Sequence, residues 1–447
     1  MTSLPLSTVI SFPAAAGAVK VVRRLQDAGF IAYWAGGCVR DLVMNRQARD
    51  YDIATNAVPD KVMELFPASI AVGKSFGVVR VPLEEYWYEV ATFRQDAGYE
   101  DGRHPSRITF SDPESDAQRR DFTVNALFYD PVRQEVIDYV SGLDDIGRRL
   151  IRAVGEPLTR FQEDHLRLLR AVRFAATLEF TMDEATSRAI RDTAGRIAVI
   201  SAERVRDELT RLLVESVRAG DALVLLRDLG LLREILPEID AMQGVEQPPE
   251  YHPEGDVFQH TVAMLNGMRT EEARLAWAVL LHDVGKPPTA QFKEGRWRFE
   301  CHASVGAEQT CAILSRLKFS SDDRNAIAFM VGNHMRFVDV KSMRRATLRR
   351  LVGAPTFPLE LELHRLDCVA SHGDLENYHY LGEFRRQMES EPVLPPPWLD
   401  GRDIMALGIP EGREVGVWRK KAYDAQLEGI VADRDALMDW LRREIQR

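Results

Sequence analysis

Cysteine is scarce in this chain: four among 447 residues, at positions 38, 301, 311 and 368, with no Cys-x-x-Cys pair. That excludes a cysteine zinc site and leaves no disulfide framework, so a reducing compartment, the cytoplasm, is expected. Long apolar runs are missing too. The mildly apolar stretch 9–19 is broken by Pro13 and has no basic segment before it, so neither a signal peptide nor a spanning helix is expected. Nor is there an excess of positive charge: 58 Lys and Arg stand against 68 Asp and Glu, a net −10. Coating nucleic acid nonspecifically requires clustered Lys and Arg, so a nucleic-acid partner must be met by local patches. Arg119-Arg120, Arg148-Arg149 with Arg152, the run Arg167, Arg170, Arg173, and Arg344-Arg345 with Arg349-Arg350 are the candidates. A solvated helix face is the commoner meaning of such runs.

What remains is globular in composition, with 45% hydrophobic and 28% charged residues, and too long for one ordinary core, so two to four domains or a string of helical modules are expected. Between 31 and 140, short β-branched and aromatic runs such as 78–81 and 88–93 alternate with helical stretches such as 60–65, which predicts an α/β head. Residues 94–106 are polar and glycine-bearing and read as a mobile loop. After Glu156-Pro157 the pattern is helical almost throughout, including amphipathic segments at 201–215 and 270–281. Pro248-Pro249 and Pro395-Pro396-Pro397 mark boundaries, the second before a charged helical tail.

The most informative residues are Asp50 and Asp52, which follow the pair Gly36-Gly37 and Arg40-Asp41. On a strand, residues i and i+2 face the same way roughly 6.5–7 Å apart. Two such carboxylates suit one or two Mg²⁺ ions, which favour a few carboxylates plus phosphate oxygens. The paired glycines let backbone approach a triphosphate closely. This is the outline of a nucleotidyl-transfer site; a bare Asp-x-Asp alone is more often an acidic turn. Glu89 becomes a third carboxylate if its strand lies beside that of Asp52, and is otherwise an edge glutamate facing water. In the cluster Arg119-Arg120-Asp121-Phe122-Thr123-Val124-Asn125, two guanidiniums suit triphosphate oxygens, and Asp121 and Asn125 suit a ribose or a metal-bound water. An ordinary surface turn fits the same residues.

Glu163 to Phe174 reads as a helix with Leu166, Leu169, Val172 and Ala176 on one stripe and Asp164 with Arg167 opposite as an i,i+3 pair. An exposed ion pair is the plain reading. Asp164 only accepts hydrogen bonds, however, and Arg167 only donates. Cytosine and adenine both set an exocyclic amine beside an unprotonated ring nitrogen; uracil and guanine reverse this and leave polar groups unpaired at about 1–3 kcal/mol each. Such a pair selects C and A without a template. Further on, His252, His260, His282-Asp283, His302, His334 and Asp367 are dense enough in ligand types for a divalent-metal site, catalytic or structural, whose metal the residues leave open.

Taken together these pieces resemble the tRNA nucleotidyltransferase and bacterial poly(A) polymerase family. The matching residues are Gly36-Gly37 through Thr55, Arg119 through Ala126, the hinge-like Asp144-Asp145-Ile146-Gly147-Arg148, and Glu163-Asp164 with Arg167, in the family's order over roughly the first half of the chain. The resemblance implies an α+β multidomain chain: a polymerase-β-like head over 1–150, an all-α neck over 151–225, an HD body over 226–394 and a helical tail over 395–447. It implies Mg²⁺ at Asp50 and Asp52, with Glu89 beside them, and nucleotide binding through Gly36, Gly37, Arg40, Arg119, Arg120, Asp121, Asn125, Arg170 and Arg173. Glu163, Asp164 and Arg167 are implied as a protein template, and residues 94–106 as a loop that helps switch from C to A addition. The second half looks like an HD phosphohydrolase-type domain, with His260, His282, Asp283 and Asp367 as its ligand set and His302 and His334 as further candidates. The implied activity is addition of C, C and A to the 3′ end of tRNA from CTP and ATP, without a membrane. A poly(A) polymerase or a partial CC- or A-adding enzyme shares nearly all of these residues. A metal phosphohydrolase whose head only delivers RNA, and a silent RNA-binding protein, are rivals of another class.

Overall fold

Along Ala32–Ala35 and Asp52–Thr55, side chains alternate between two apolar layers, and this alternation places the acidic residues. Trp34 and Ile53 face one core with Val79, Val81, Val90 and Tyr129. Ala35 and Ala54 face the other with Phe93, Phe128 and Val154. Asp52 shares its side with Ala54, on the second face.

The structure is a computed structural model that describes residues 2–3, 13–73, 77–99, 105–388 and 392–447. It comprises two compact units, Met1–Asp240 and Ala241–Arg447. The strands of the first are β1 (Thr2–Ser3), β2 (Ala32–Ala35), β3 (Asp52–Thr55), β4 (Ile70–Gly73), β5 (Val78–Leu83), β6 (Tyr86–Thr92), β7 (Arg94–Tyr99), β8 (Pro105–Phe110), β9 (Phe128–Asp130) and β10 (Glu135–Ile137), with a short pair β11 (Leu150–Ile151) and β12 (Thr181–Met182). Eight of them form one mixed sheet in the order β1-β10-β9-β2-β3-β6-β5-β4. Within that sheet only β3 and β6 pair in parallel, with Ile53 opposite Val90. Helices α1 (Pro13–Asp27), α2 (Gly37–Val43), α3 (Pro59–Leu65), α4 (Pro113–Gln118) and α5 (Gly142–Gly147) belong to this α/β part. Residues 94–106, expected as a loop, instead contribute β7 and part of β8, an antiparallel ribbon with Arg94 opposite Phe110. Residues 100–104 lie outside the described residues.

The rest of the first unit is helical: α6 (Pro157–Glu163), α7 (Arg167–Leu178), α8 (Glu184–Thr193), α9 (Ala202–Glu215), α10 (Ala219–Asp228), α11 (Leu232–Ile235) and α12 (Pro237–Asp240). The expected continuous helix from Glu163 does not form. Asp164 is extended (φ −142°, ψ 106°), and its side chain accepts the Leu166 N–H at 3.0 Å. This local bond competes with the helix ladder and breaks the chain between α6 and α7.

The second unit runs through α13 (Val257–Gly267), α14 (Ala273–Leu281), α15 (Lys286–Thr289), the hairpin β13 (Gln291–Lys293) and β14 (Arg296–Arg298), α16 (His302–Arg316), α17 (Ser321–Asn333), α18 (Arg345–Val352), α19 (Phe357–Ala370), α20 (Glu376–Gln387), α21 (Gly401–Ala406), α22 (Arg413–Glu428) and α23 (Arg434–Ile445). Leu399, Ile404, Ala422, Ala425, Leu437 and Leu441 form a separate small core at its C-terminal end. No helix among the described residues is long and apolar enough to cross a membrane.

Candidate active site and metal centre

In the first unit, a cavity of about 770 Å³ is lined by Gly36, Gly37, Arg40, Asp50, Asp52, Arg119, Arg120, Asp121, Asn125, Asp164, Arg167, Arg170 and Arg173, among others. Sequence segments more than a hundred residues apart therefore meet in one cleft. Asp52 opens β3, while Asp50 lies just before the strand. Although Asp52 is exposed, crowding by protein around its carboxyl raises its pKa to about 6; Asp50 and Glu89 add like charge, and Arg120 opposes them. Glu89 lies on β6, on the strand directly beside Asp52, facing the same side by the register of Ile53 with Val90. Three carboxylates thus share one small region, and among the described residues no hydrogen bond ties Asp50 or Asp52 to a cation.

Gly36 holds the turn into α2 with φ +77°, and its N–H donates to the Leu127 carbonyl at 3.0 Å. A Cβ there would sit 3.0 Å from Arg120 Nη1 and in a backbone region that side chains rarely adopt. Arg40 is buried and donates to Asn125 Oδ1 at 2.6 Å and to Asp41, with its guanidinium over the Phe174 ring.

Arg119 and Arg120 are both held by Asp116, which sequence reading missed. Its Oδ1 lies 2.7 Å from Arg119 and its Oδ2 3.0 Å from Arg120, and it also accepts the Arg94 N–H. The signal was present: Asp116 precedes the arginines by three and four residues at the end of α4. Burial pushes the Asp116 carboxyl up, but Arg120 and Arg119 outweigh it and leave the group below the usual carboxylate range. Asp121 behaves alike: burial is overcome by Arg170, 2.7 Å away, and by Arg167.

The expected Asp164–Arg167 side-chain pair does not form among the described residues; the two meet through the backbone, the Arg167 N–H donating to the Asp164 carbonyl at 3.0 Å. Arg167 donates to Glu163 at 2.6 Å, to the Arg160 carbonyl at 3.0 Å and to the Arg119 carbonyl at 2.9 Å. Among the described residues its Nε–H and one Nη2 hydrogen have no partner. Asp164 instead meets Arg204 of α9 at 2.9 Å. Glu163 does not line the cavity; it anchors Arg160 and Arg167. Arg173 lines it but is buried and pairs with Glu208 and Glu215, so its charge is committed to α9.

In the second unit, α13, α14, α16, α17 and α19 bring six expected ligands together. Ligand atoms of His260, His282 and Asp367 lie within 4.8 Å of one another, as do those of Asp283, His302 and His334. His282 Nε2 is 3.0 Å from Asp283, which links the two groups. Whether a cation fits is answered by how the buried polar atoms crowd together: His260 Nε2 lies 3.2 Å from Asp367 and His282 Nε2 3.0 Å from Asp283, yet neither nitrogen and neither Asp283 oxygen has a hydrogen bond of good geometry among the described residues. His282, His302 and His334 each turn Nδ1 to a backbone carbonyl, of Val279, Phe299 and Val331, at 2.9, 2.8 and 2.7 Å. A carbonyl only accepts, so Nδ1 carries the proton and Nε2 is left as a lone pair aimed inward, the tautomer a metal requires. Burial lowers His334 to about 4, which keeps it neutral. The donor set fits a divalent metal. Glu254 and Lys286 were not foreseen: Glu254 meets His260 Nδ1 at 2.5 Å, and Lys286 meets Asp283 at 2.7 Å. His252 joins Glu254 and His260 in a third ligand group.

A carboxylate cleft on a mixed sheet, faced by arginines and followed by a helical segment, defines a nucleotidyltransferase head. The Poly A polymerase head domain matches residues 32–152, the "Probable RNA and SrmB- binding site of polymerase A" matches 179–243, and the HD domain matches 256–371. The CCA-adding enzyme of Geobacillus kaustophilus is 46% identical over 432 residues, covering 95% of this chain and 96% of that one. That of Lactobacillus gasseri is 33% identical over 430 residues, covering 94% of each. The crystal structure of the Bacillus stearothermophilus CCA-adding enzyme in complex with CTP superposes with a TM-score of 0.74 at 26% identity, covering 97% of this chain and 98% of that one. The chain belongs to the CCA-adding enzyme family.

Proposed function

We propose that this enzyme adds C, C and A to the 3′ end of tRNA from CTP and ATP in the cytoplasm, where its four free cysteines stay reduced. The observation that carries the reading is the shared cavity: Asp50 and Asp52 open onto the same space as Arg119, Arg120, Asp164 and Arg167. Similar enzymes with solved complexes of CTP, ATP and tRNA support the substrates.

Asp50 and Asp52, with Glu89 alongside, would hold Mg²⁺, which when bound lowers the pKa of the primer 3′-hydroxyl and neutralises the departing pyrophosphate. Arg120 retains N–H groups at Nη1 and Nη2 to receive triphosphate oxygens, while Asp116 fixes its orientation. Gly36 and Gly37 let the backbone come close, and Asp121, Asn125 and Arg40 brace the floor. The uncommitted donors of Arg167 suit the ring nitrogen of C or A, and the Asp164 carboxylate suits the exocyclic amine. Arg170 secures Asp121, and Arg173 secures the α7–α9 contact rather than the nucleotide. The division of labour along the chain is head over 1–150, neck over 151–225, HD body over 226–394 and tail over 395–447.

The test is primer extension on a tRNA lacking CCA, with CTP and ATP supplied separately and together. Asp50→Ala and Asp52→Ala are expected to lower incorporation about 10³-fold or more while tRNA binding persists. Turnover near the parent rate in either variant sinks the assignment. A product of A residues alone identifies a poly(A) polymerase, and a truncated CC or A product a partial enzyme.

The directed Nε2 lone pairs around Asp283 favour a second reading, a phosphohydrolase activity in the HD unit. His260, His282, Asp283 and Asp367 would hold a divalent metal that supplies an activated water, with His302 and His334 beside them.

A further inference from the structure

Between α15 and α16 the chain doubles back as the hairpin β13–β14. At its tip Glu294 and Gly295 hold φ +53° and +77°, both left-handed, in the two-residue turn whose twist matches the strands it joins. The turn sets Phe292 directly opposite Trp297, and the two rings meet edge to face with centroids 5.3 Å apart at 70°. The indole is held in place, its Nε1–H donating to Glu246 Oε2 at 3.1 Å. This pair is not core: Phe292 keeps 62% of its surface exposed, so the hairpin presents an aromatic face to solvent.

That face borders a cavity of about 600 Å³, within the roughly 300–1,000 Å³ of small-molecule sites. Phe292, Arg296 and Trp297 line it from the hairpin, and Gln247, Glu250 and His252 from the segment before α13. Two of these side chains touch the histidine centre. The His252 ring stands edge-on to His260 with centroids 4.9 Å apart, and the two imidazoles share Glu254. Gln247 accepts from Lys286 at 2.6 Å, and Lys286 reaches Asp283 at 2.7 Å. The cavity therefore runs from an aromatic hairpin to the proposed metal ligands. Arg296 and Glu250 form no hydrogen bond or ion pair among the described residues, which leaves a donor fork and an acceptor free on its walls.

We propose that this cavity is a base subsite of the HD unit: the ring of a nucleotide lies against Trp297 and Phe292, with its phosphate turned toward the histidine centre. The inference rests on the phosphohydrolase reading of that unit. A flat ring with donors and acceptors on its edge matches what the walls offer, since the aromatic faces stack on it while Arg296 and Glu250 meet its carbonyls, ring nitrogens and exocyclic amines. Every base has such a face, so the hairpin binds nucleotides as a class. Glu246 and Glu250 put negative charge beside the rings, which sets the anionic phosphate at the opposite end, where Lys286 stands. Hydrolysis there joins a water oxygen to phosphorus and breaks the bond from phosphorus to the ribose oxygen, which takes the proton of the water. A phosphate ester without a base has nothing to place on the hairpin.

The test measures phosphate release by the full-length enzyme with Mn²⁺ from adenosine 3′-monophosphate and from glycerol 2-phosphate, which share the ester and differ in the base. Trp297→Ala is expected to raise KM for the nucleotide about tenfold with kcat near the parent value, and to leave glycerol 2-phosphate unchanged. Trp297→Phe keeps a stacking face, and Lys293→Ala alters the other face of the hairpin, so both stay near the parent. A short RNA ending in a 3′-phosphate, run in parallel, tells RNA ends from free nucleotides by which substrate Trp297→Ala weakens. Apart from turnover, 8-azidoadenosine 3′-monophosphate is photocrosslinked and its adducts are mapped by peptide mass, with labelling of 291–298 expected in the parent and lost in Trp297→Ala. An unchanged KM for nucleotide and RNA alike, or adducts confined to the head, overturns the subsite and leaves the phosphohydrolase reading standing. A KM raised equally for glycerol 2-phosphate marks damage to the metal centre and also overturns it. Labelling of the hairpin without phosphate release from any substrate removes the phosphohydrolase reading and keeps the base platform. If Trp297→Ala loses its helical circular dichroism, Phe292→Ala and Trp297→Leu are judged by the same criteria.

Discussion

Asp116 carries a guanidinium on each of its two oxygens and is almost fully buried, so one short side chain sets the positions of Arg119 and Arg120 together. Its depressed pKa gives a sign to its contribution. A carboxyl held below its unfolded value stabilises the fold above about pH 4, and that stability is lost as pH falls through the folded value. Asp116→Asn is expected to cost about 1–3 kcal/mol at pH 7, measured by urea denaturation. The deficit relative to the parent should shrink below about pH 4; a deficit constant from pH 7 to pH 3 contradicts the assignment. The residue scale is also where sequence reading went furthest and erred most clearly. Asp50, Asp52 and the Arg119–Asn125 cluster were legible because their residue types carry their chemistry wherever the chain places them. Asp164 with Arg167 on one helix was misread: an Asp side chain that bonds a nearby N–H rewrites the local backbone, and periodicity assumes that it does not.

At the scale of elements, the β7–β8 ribbon starts and ends at neighbouring points, since the Ser111 N–H donates to the Phe93 carbonyl at 2.9 Å. Replacing 95–109 by a short glycine linker should therefore leave the sheet intact, because closing so small a gap adds little entropy cost. We expect C addition to persist and A addition to fall at least about tenfold, read from product lengths with CTP alone and with both nucleotides. Equal losses of both remove the switching role that the family resemblance implies for this segment. The polar composition of 94–106 concealed the ribbon, because strand pairing there relies on backbone bonds rather than on an apolar stripe. A second element-scale contact is Gly285, where an added Cβ would fall 2.1 Å from the His302 carbonyl oxygen and 2.6 Å from Gly306 N. It lets α16 pack directly against the His282-Asp283 turn. Gly285→Ala should cost about 1–3 kcal/mol through overpacking and weaken metal uptake by the HD unit, measured by metal analysis after dialysis; parent-like stability and metal content would show that α16 has room to move.

For the whole molecule, the two compact units carry their candidate sites separately, the carboxylate cleft before residue 241 and the histidine cluster after it. His282→Ala and Asp283→Ala are expected to abolish any metal-dependent phosphate release while changing nucleotide addition less than about twofold, because sites without shared residues act additively. Parallel loss of both activities would show that the units are energetically coupled. The site was only half legible: the density of ligand types after residue 252 announced a metal centre and Lys286 follows Asp283 at the i,i+3 spacing, but Glu254 joins by meeting His260 Nδ1 from the segment before α13, which no spacing rule anticipates.

The chemistry of this protein was determined by its sequence alone, because carboxylate pairs, arginine clusters and imidazoles keep their donor and acceptor identities in any fold. Which of those groups remain available was decided by the tertiary structure. Packing of α7 against α9 commits Arg173 to Glu208 and the Asp164 carboxylate goes to Arg204 of α9 rather than to Arg167, while the pairing of β3 with β6 sets Glu89 beside Asp52. A side chain's partner depends on what burial brings within about 3 Å, and that distance is fixed only when the whole chain has packed.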